Sequence, residues 1–532
     1  MRLQYLQSAA KWIWSIEGSS LLQVHVDKSM LRNEALALIP QPRSVRRIPG
    51  FLELPELSAH GPSSLLRVLD EFLAPMMGTS VQEREADTAL LSLHLTAGDA
   101  SEESYLLNVT GQGVRLEAAT EHGLFNAVMT LRQMLKKGKR GWMLPLAEIE
   151  DAPALKWRGL MLDVSRHFFE PSEVKHLLRT MALFKLNHFH WHLTDDQGWR
   201  FPVHKFPQLI RLGAYRRATQ KGHEAKQLDE VPYNHSYTVE EIEDILSLAE
   251  SLHIEVMPEF DLPGHSQAAI ASYPELGNAD ISEDWHPEVA TSFGALQYTL
   301  SPSEVSVNFT KDVLSEMAQL FAKSPYIHIG GDEVPTEQWS KSRRALAAAQ
   351  ESHVSVKKLE GLMLEKAAKH LQGLRRTAVV WDDALSGGRQ LPKETVVMIW
   401  RSWEGLATVG NKAAAQGHPV VLAPQAYTYL DQWQDLGHSQ FDAIGGYLPL
   451  SKVYESPTSA GEAEVLGIQG QLWSEYIREG GRNLDFMAWP RGAALAEVAW
   501  AAAARPGFAD FERRLRQRRE DFKLFQVNLG EI

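Results

Sequence analysis

The chain has 532 residues, 44% of them hydrophobic and 23% charged, with a formal net charge of -13 and no cysteine. That length exceeds one simple core and predicts a large domain of catalytic size with a smaller companion. The acidic balance argues against nucleic acid or an anionic membrane as the main partner, and the lack of cysteine excludes disulfides, thiol nucleophiles and cysteinyl zinc sites without fixing a compartment.

Residues 1–37 read as an N-terminal extension, either an amphipathic helix with a linker or a stretch upstream of a start near Met30. In MRLQYLQSAAKWIWSIEGSS, Lys11 and Glu17 interrupt every apolar run, so no signal peptide and no membrane span are expected, and the location reads as cytoplasmic or open. Residues 38–150 predict a small α+β accessory domain. Within it LLSLHLTAG and SYLLNVTGQGVRLEA read as hairpins and EHGLFNAVMTLRQMLKKG as a helix. DAPALKWRG, with Pro153 after Asp151, reads as the linker onward.

From residue 151 to 505 the pattern is apolar strand, polar tip, amphipathic helix, repeated. Candidate strands are WRGLMLDV, LNHFHWHL, IEVMPEF, YIHIGG, TAVVWDD, TVVMIW, PVVLAP and VLGIQGQLW. Helices between them include PSEVKHLLRTMALFK, TVEEIEDILSLAESLH, with a capping box from Thr238 to Glu241, and SVNFTKDVLSEMAQLFAK. Near-continuous apolar strands alternating with helices imply a parallel sheet covered on both sides, and eight units suit a closed (β/α)8 TIM barrel, with a doubly wound open sheet as the alternative. Residues 506–532 read as a C-terminal helical segment packing on the barrel. Two long connections, 195–237 and 261–305, are expected to wall the pocket.

Catalytic groups in such barrels sit at the carboxyl ends of strands, and these strands end in acids, an arginine and tryptophans. A rim of that kind suits a neutral polyol: carboxylates and arginine bind hydroxyls, and indole faces stack on the apolar faces of sugar rings. Gly330 and Gly331 read as a close approach and turn before the adjacent acids Asp332 and Glu333, and no phosphate-binding glycine loop is present. His188, His190 and His192 share one strand face, so a metal-dependent amidohydrolase is a rival reading. Three histidines packed in the barrel is the bland alternative, and the expectation is no metal and no cofactor.

RGLMLDVSRHF, NHFHWHLTDDQGWR, PEFDLPGH, HIGGDE and the late YLD and LWSE segments, in that order, resemble the β-N-acetylhexosaminidases of glycoside hydrolase family 20. The resemblance runs from about residue 38 to 505, with the accessory domain similar in position and rough pattern. It implies an exo-acting, retaining enzyme that removes terminal β-linked N-acetylglucosamine, or its galacto epimer, from glycoconjugates or chito-oligosaccharides. In that scheme the substrate's own acetamido oxygen attacks the anomeric carbon to give an oxazolinium intermediate, an exception to the usual carboxylate pair. It further implies Glu333 as general acid and then base, with a raised pKa, and Asp332 as partner of the acetamido nitrogen. Tyr429 would meet the acetamido carbonyl, and Asp195 and His265 would tune the acid. Arg166, Asp431 and Glu475 would bind hydroxyls, and Trp381, Trp400 and Trp473 would wall the acetamido methyl. The partner implied is a small-molecule glycan, with monomer and homodimer both open. A catalytically inactive sugar-binding protein on the same barrel would be expected to lack Glu333.

Overall fold

The computed structural model describes residues 35–530 and 532, apart from 99–100, 140, 224–226, 389, 436–441 and 479; the extension expected over 1–37 lies outside the described residues as far as residue 34. The expected strands form one closed parallel barrel. They are β1 (Trp157–Asp163), β2 (His188–His192), β3 (Glu255–Leu262), β4 (Tyr326–Gly330), β5 (Thr377–Trp381), β6 (Val396–Ile399), β7 (Val420–Leu422) and β8 (Val465–Leu472), with β8 pairing back onto β1. β1, β2, β5 and β6 are buried at nearly every position, which is why β5 and β6 run almost wholly apolar, while β2 alternates aromatic residues with the buried His188, His190 and His192.

The helices pack outside. They include α1 (Pro171–Leu183), α2 (Val239–Ser251), α3 (Glu304–Leu320) and α4 (Leu359–Gly373). The capping box forms as expected: Glu241 N–H donates to Thr238 Oγ1, and Thr238 N–H donates to the Glu241 carboxylate. The connections 195–237 and 261–305 are not structureless; they hold the short strand pairs Thr194–Asp195 with Gly198–Trp199 and Tyr215–Arg216 with Tyr233–Asn234, and the helix Gln267–Ser272.

Residues 44–151 form a mixed sheet whose longest strands, Ser44–Leu54 and Gly141–Asp151, run antiparallel. Helix Glu121–Met134 lies against this sheet, buried from Gly123 to Met134. Tyr105–Val109 and Val114–Ala118 make the expected hairpin. The run Leu91–Leu95 does not: it pairs parallel with Val114–Ala118 and with Ser58–His60. Alternating burial marks a strand with one wet face, but its partner depends on the crossover, and helix Ser63–Met77 follows Ser58–His60 before the chain returns. Past the barrel, the short helices Phe508–Arg516 and Arg519–Leu524 follow.

The accessory domain is tied to the barrel floor by a buried ion pair. Arg158, with a fully covered side chain, donates to Glu103 Oε1 at 3.0 Å, and Asn187 donates to the same oxygen at 3.2 Å. Glu103→Ala would leave the guanidinium buried without its counter-charge, a change that typically costs about 3–5 kcal/mol. Urea unfolding is expected to show a loss of that order, and the double replacement Glu103→Leu with Arg158→Met to recover most of it.

Candidate active site

At the carboxyl ends of the strands the chain turns where side chains are impossible. A Cβ on Gly330 (φ +63°) would lie 1.6 Å from Asp261 Oδ1, and one on Gly331 (φ +93°) 2.8 Å from Leu364 Cδ1. Glycine alone permits both the approach and the backbone. Glu333 follows at φ 49°, and His265, from the loop after β3, sits at φ 46°. Left-handed conformations cost non-glycine residues about 1–3 kcal/mol and are kept where the surroundings enforce them. The acid pair and its histidine neighbour both carry this strain.

His265 joins the expected residues into one centre. Its Nε2 lies 3.8 Å from Asp332 Oδ2 and 3.7 Å from Glu333 Oε2, and its Nδ1 lies 3.2 Å from Asp195 Oδ1. Asp195 also pairs with Arg166 at 2.8 Å and His192 at 2.9 Å, and Arg166 reaches Asp163 at 3.1 Å and Glu475 at 3.7 Å. Burial alone would strip the proton from His265, but the Asp195 carboxylate and hydrogen bonding to Asp195, Asp196 and Glu333 raise it well above the ordinary histidine value. The centre of this network is therefore an imidazolium.

That cation corrects one expectation. Glu333 is not raised in the free protein: hydrogen bonding to His265 holds it below the ordinary glutamate value against the opposing pull of burial, and the His265 and Arg166 charges add to the effect. The raised neighbour is Asp332. Burial, with the charges of Asp383, Glu259 and Glu333, pushes it up to about 7 although His265 opposes. Below about pH 7 one proton thus rests on the pair, on Asp332, and it leaves as pH rises through about 7.

The aromatic residues enclose the pocket. Trp381 and Trp473 stand 6.1 Å apart, Tyr429 and Trp473 6.4 Å, and Trp400 stacks on Tyr429 at 6.2 Å. The Trp400 indole N–H donates to Asp383 at 2.8 Å and that of Trp381 to Glu259 at 3.1 Å, which fixes both rings. Several buried acceptors here have no hydrogen-bond partner among the described residues: Asp332 Oδ1, both Asp431 carboxylate oxygens and Glu475 Oε2. Buried acceptors are nearly always satisfied, so this set fits a ligand rich in O–H and N–H donors. Burial and the Glu475 charge raise Asp431 well above the usual range; Glu475 is raised by burial with Arg166 opposing.

Sequence reading brought the eleven candidates to one place but undervalued Glu259. Its carboxylate hydrogen-bonds His192, accepts from the Trp381 indole at 3.1 Å, and lies 3.0 Å from His190 Nε2 and 2.7 Å from His328 Nδ1. The one available signal was its place as an acid inside an apolar strand, in VMPEF. Asp163 braces Arg166 and accepts from the Ser474 backbone at 3.1 Å, while Asp196 accepts from the Gln267 backbone at 2.9 Å. Among the described residues, four groups place metal-donor atoms within 4.8 Å: His190–Glu259–His328, His192–Glu259–Asp261, Asp195–Asp196–His265 and Asp261–His265–Asp332. Three of them use His192 or His265, whose ring nitrogens ligate only after losing protons that adjacent carboxylates hold in place. No helix among the described residues is long and apolar enough to cross a membrane.

Residues 155–503 match the family model described as glycosyl hydrolase family 20, catalytic domain, and residues 35–152 match the one described as glycosyl hydrolase family 20, domain 2. A Porphyromonas gingivalis beta-hexosaminidase is 36% identical over 79% of this chain, which spans 53% of that relative. A Vibrio furnissii beta-hexosaminidase is 34% identical over 87% of this chain and 76% of its own length. Among solved structures, the exo β-N-acetylglucosaminidase of Vibrio harveyi in complex with N-acetylglucosamine superposes with a TM-score of 0.82 at 31% identity, covering 94% of this chain and 79% of its own.

Proposed function

The chain belongs to glycosyl hydrolase family 20 and is a glycoside hydrolase of hexosaminides, and from that premise we propose that it removes single terminal β-linked N-acetylglucosamine residues by substrate-assisted catalysis. The observation that supports this best is the Asp332–Glu333 pair on one imidazolium, beside an aromatic enclosure and a set of buried acceptors without donors. In this reading the sugar's hydroxyls donate to Asp431 and Glu475, with Arg166 bracing the latter. The acetamido N–H donates to Asp332, and its carbonyl oxygen, steadied by the Tyr429 hydroxyl, attacks the anomeric carbon. Trp381, Trp400 and Trp473 hold the methyl and keep out water. Glu333 protonates the departing oxygen and then takes the proton of the incoming water.

The protonation found in the free protein fits this sequence of events. An arriving acetamido N–H favours Asp332 as carboxylate, and the displaced proton passes to Glu333, whose oxygen shares His265 Nε2 as neighbour. The pair needs one proton in total, so kcat/KM is expected to fall on the alkaline side with an apparent pKa near 7. Asp383 is one of the charges that raises Asp332; replacing it by Asn lowers that pKa, so the alkaline limb should move to lower pH. A limb that stays put in Asp383→Asn would place the proton elsewhere.

The action pattern is tested on chitotetraose labelled at its reducing end. Stepwise loss of single N-acetylglucosamine units, leaving labelled trimer and then dimer, is the expected course. Release of disaccharide as the first product would rule out the single-residue exo mode.

A further inference from the structure

The opposite mouth of the barrel holds a second cavity, of about 1080 Å³, between the barrel floor and the accessory domain. Trp157, His188, Glu255 and Tyr326 line it, and they are the first residues of β1, β2, β3 and β4. Glu333 follows the far end of β4, so this cavity lies a barrel's length from the pocket above.

Its chemistry follows from one amide. Asn187 Nδ2 donates to Glu103 Oε1 at 3.2 Å and to the Lys156 carbonyl at 2.9 Å, which turns its oxygen toward the Arg158 N–H at 3.0 Å and His188 Nδ1 at 2.8 Å. An amide oxygen only accepts, so His188 carries its hydrogen on Nδ1 and a lone pair on Nε2. Burial, with the Arg158 charge, lowers the His188 pKa to about 3, which keeps the ring neutral. Nε2 then faces Glu255 Oε1 at 3.5 Å, and that oxygen is buried with no hydrogen-bond partner among the described residues. With Glu255 ionised, two acceptors confront one another in the cavity wall and both call for N–H donors; protonated, Glu255 can donate to His188 Nε2 itself.

The surroundings favour a cation with a flat body. Trp157 stacks on His188 at 4.0 Å and stands 5.2 Å from the Tyr326 ring. Leu246, Val256 and Phe321 add apolar surface. The charged groups facing Glu255 across the cavity are Glu102, Glu103, Glu243 and Glu250 against Lys156 and Lys323, with His122 and His253 shifted below the ordinary histidine value by burial. Lys323 is paired with Glu250 and Glu103 with Arg158, which leaves an acidic balance.

We propose that this cavity binds a small organic cation, an amidinium or primary ammonium on a flat apolar body, with its N–H groups on Glu255 and His188 Nε2 and its body against the half-buried Tyr326 and Leu246, which Trp157 and His188 back from behind. Charge-assisted hydrogen bonding and contact with aromatic faces supply the recognition. Binding requires Glu255 as carboxylate, and burial pushes that group up to about 7, so affinity should rise with pH.

Calorimetric titration of the full chain with benzamidine tests this, beside methyl benzoate, which has the flat body but no N–H. Millimolar or tighter binding of benzamidine alone is expected, about tenfold weaker at pH 6 than at pH 8, and at least about tenfold weaker in Glu255→Gln, whose amide can satisfy His188 itself. Equal affinity in that variant, equal binding of methyl benzoate, or no heat with benzamidine would each overturn the proposal. The ester comparison and the pH series use the unaltered protein, so the test stands even if the variant does not fold.

Discussion

Glu333→Gln is expected to lower kcat by about 10²–10⁴-fold on a natural disaccharide, with KM little changed, because glutamine keeps the shape of the side chain but has no proton to give. The departing oxygen of a sugar is a strong base and needs that proton early. A nitrophenolate leaves without much help, so the same variant should lose far less in the first step on 4-nitrophenyl β-N-acetylglucosaminide. The diagnostic quantity is therefore the ratio of the two losses, measured on chitobiose and the aryl glycoside under identical conditions. Glutamine places no new demand on the left-handed backbone that Glu333 already adopts, so the result is expected to report the carboxyl group and not a rearranged turn. Equal, small losses on both substrates would remove Glu333 from the acid role. The side chain suits that role in one further respect: it is 45% exposed and so within reach of incoming water, whereas Asp332 is 12% exposed.

The second large effect concerns the substrate. A plain β-glucoside is expected to be hydrolysed at least about 10⁵-fold more slowly than the 2-acetamido sugar, because an attacking group held in place within the same molecule is worth effective molarities of that size or greater. Enzymes that form a covalent glycosyl intermediate place a second, ionised carboxylate about 5–5.5 Å from the acid. Here the neighbouring carboxyl is Asp332, which shares the same imidazolium with Glu333 and, with its pKa pushed up to about 7, carries the pair's proton below that pH. It is a poor nucleophile and a good hydrogen-bond partner. Dye release from the two 4-nitrophenyl glycosides measures the ratio directly. Comparable rates would mean that a protein carboxylate attacks, and Asp332→Asn would then abolish both reactions rather than only the acetamido one.

How much of this could be read from the chain depends on how local each signal is. The barrel strands are continuous apolar runs of the length a buried strand needs, and the cap at Thr238 is spelled out within four residues, so both were legible. Leu91–Leu95 was legible as a strand but not as a parallel one, because pairing is decided by a crossover that sequence alternation does not encode. The DE pair after two glycines announced itself by contrast with the apolar strand before it. Its protonation did not. Whether Glu333 or Asp332 holds the proton is set by His265, 67 residues or more away in sequence, and by the Asp195 carboxylate that keeps His265 charged. Glu259 was hidden for the same reason: nothing near it in the chain shows that four ring systems from three other strands converge on it.

That convergence bears on how the sequence can change over time. Glu259 touches His190, His192, His328 and Trp381 at once, and residues in one buried hydrogen-bonded cluster have mutational effects that do not add. A substitution at any one of the five leaves polar atoms of the others stranded, while a matched set of changes need not. These positions should therefore be strongly epistatic: lineages would alter them together or leave them alone, and a single neutral step through the cluster should be hard to find.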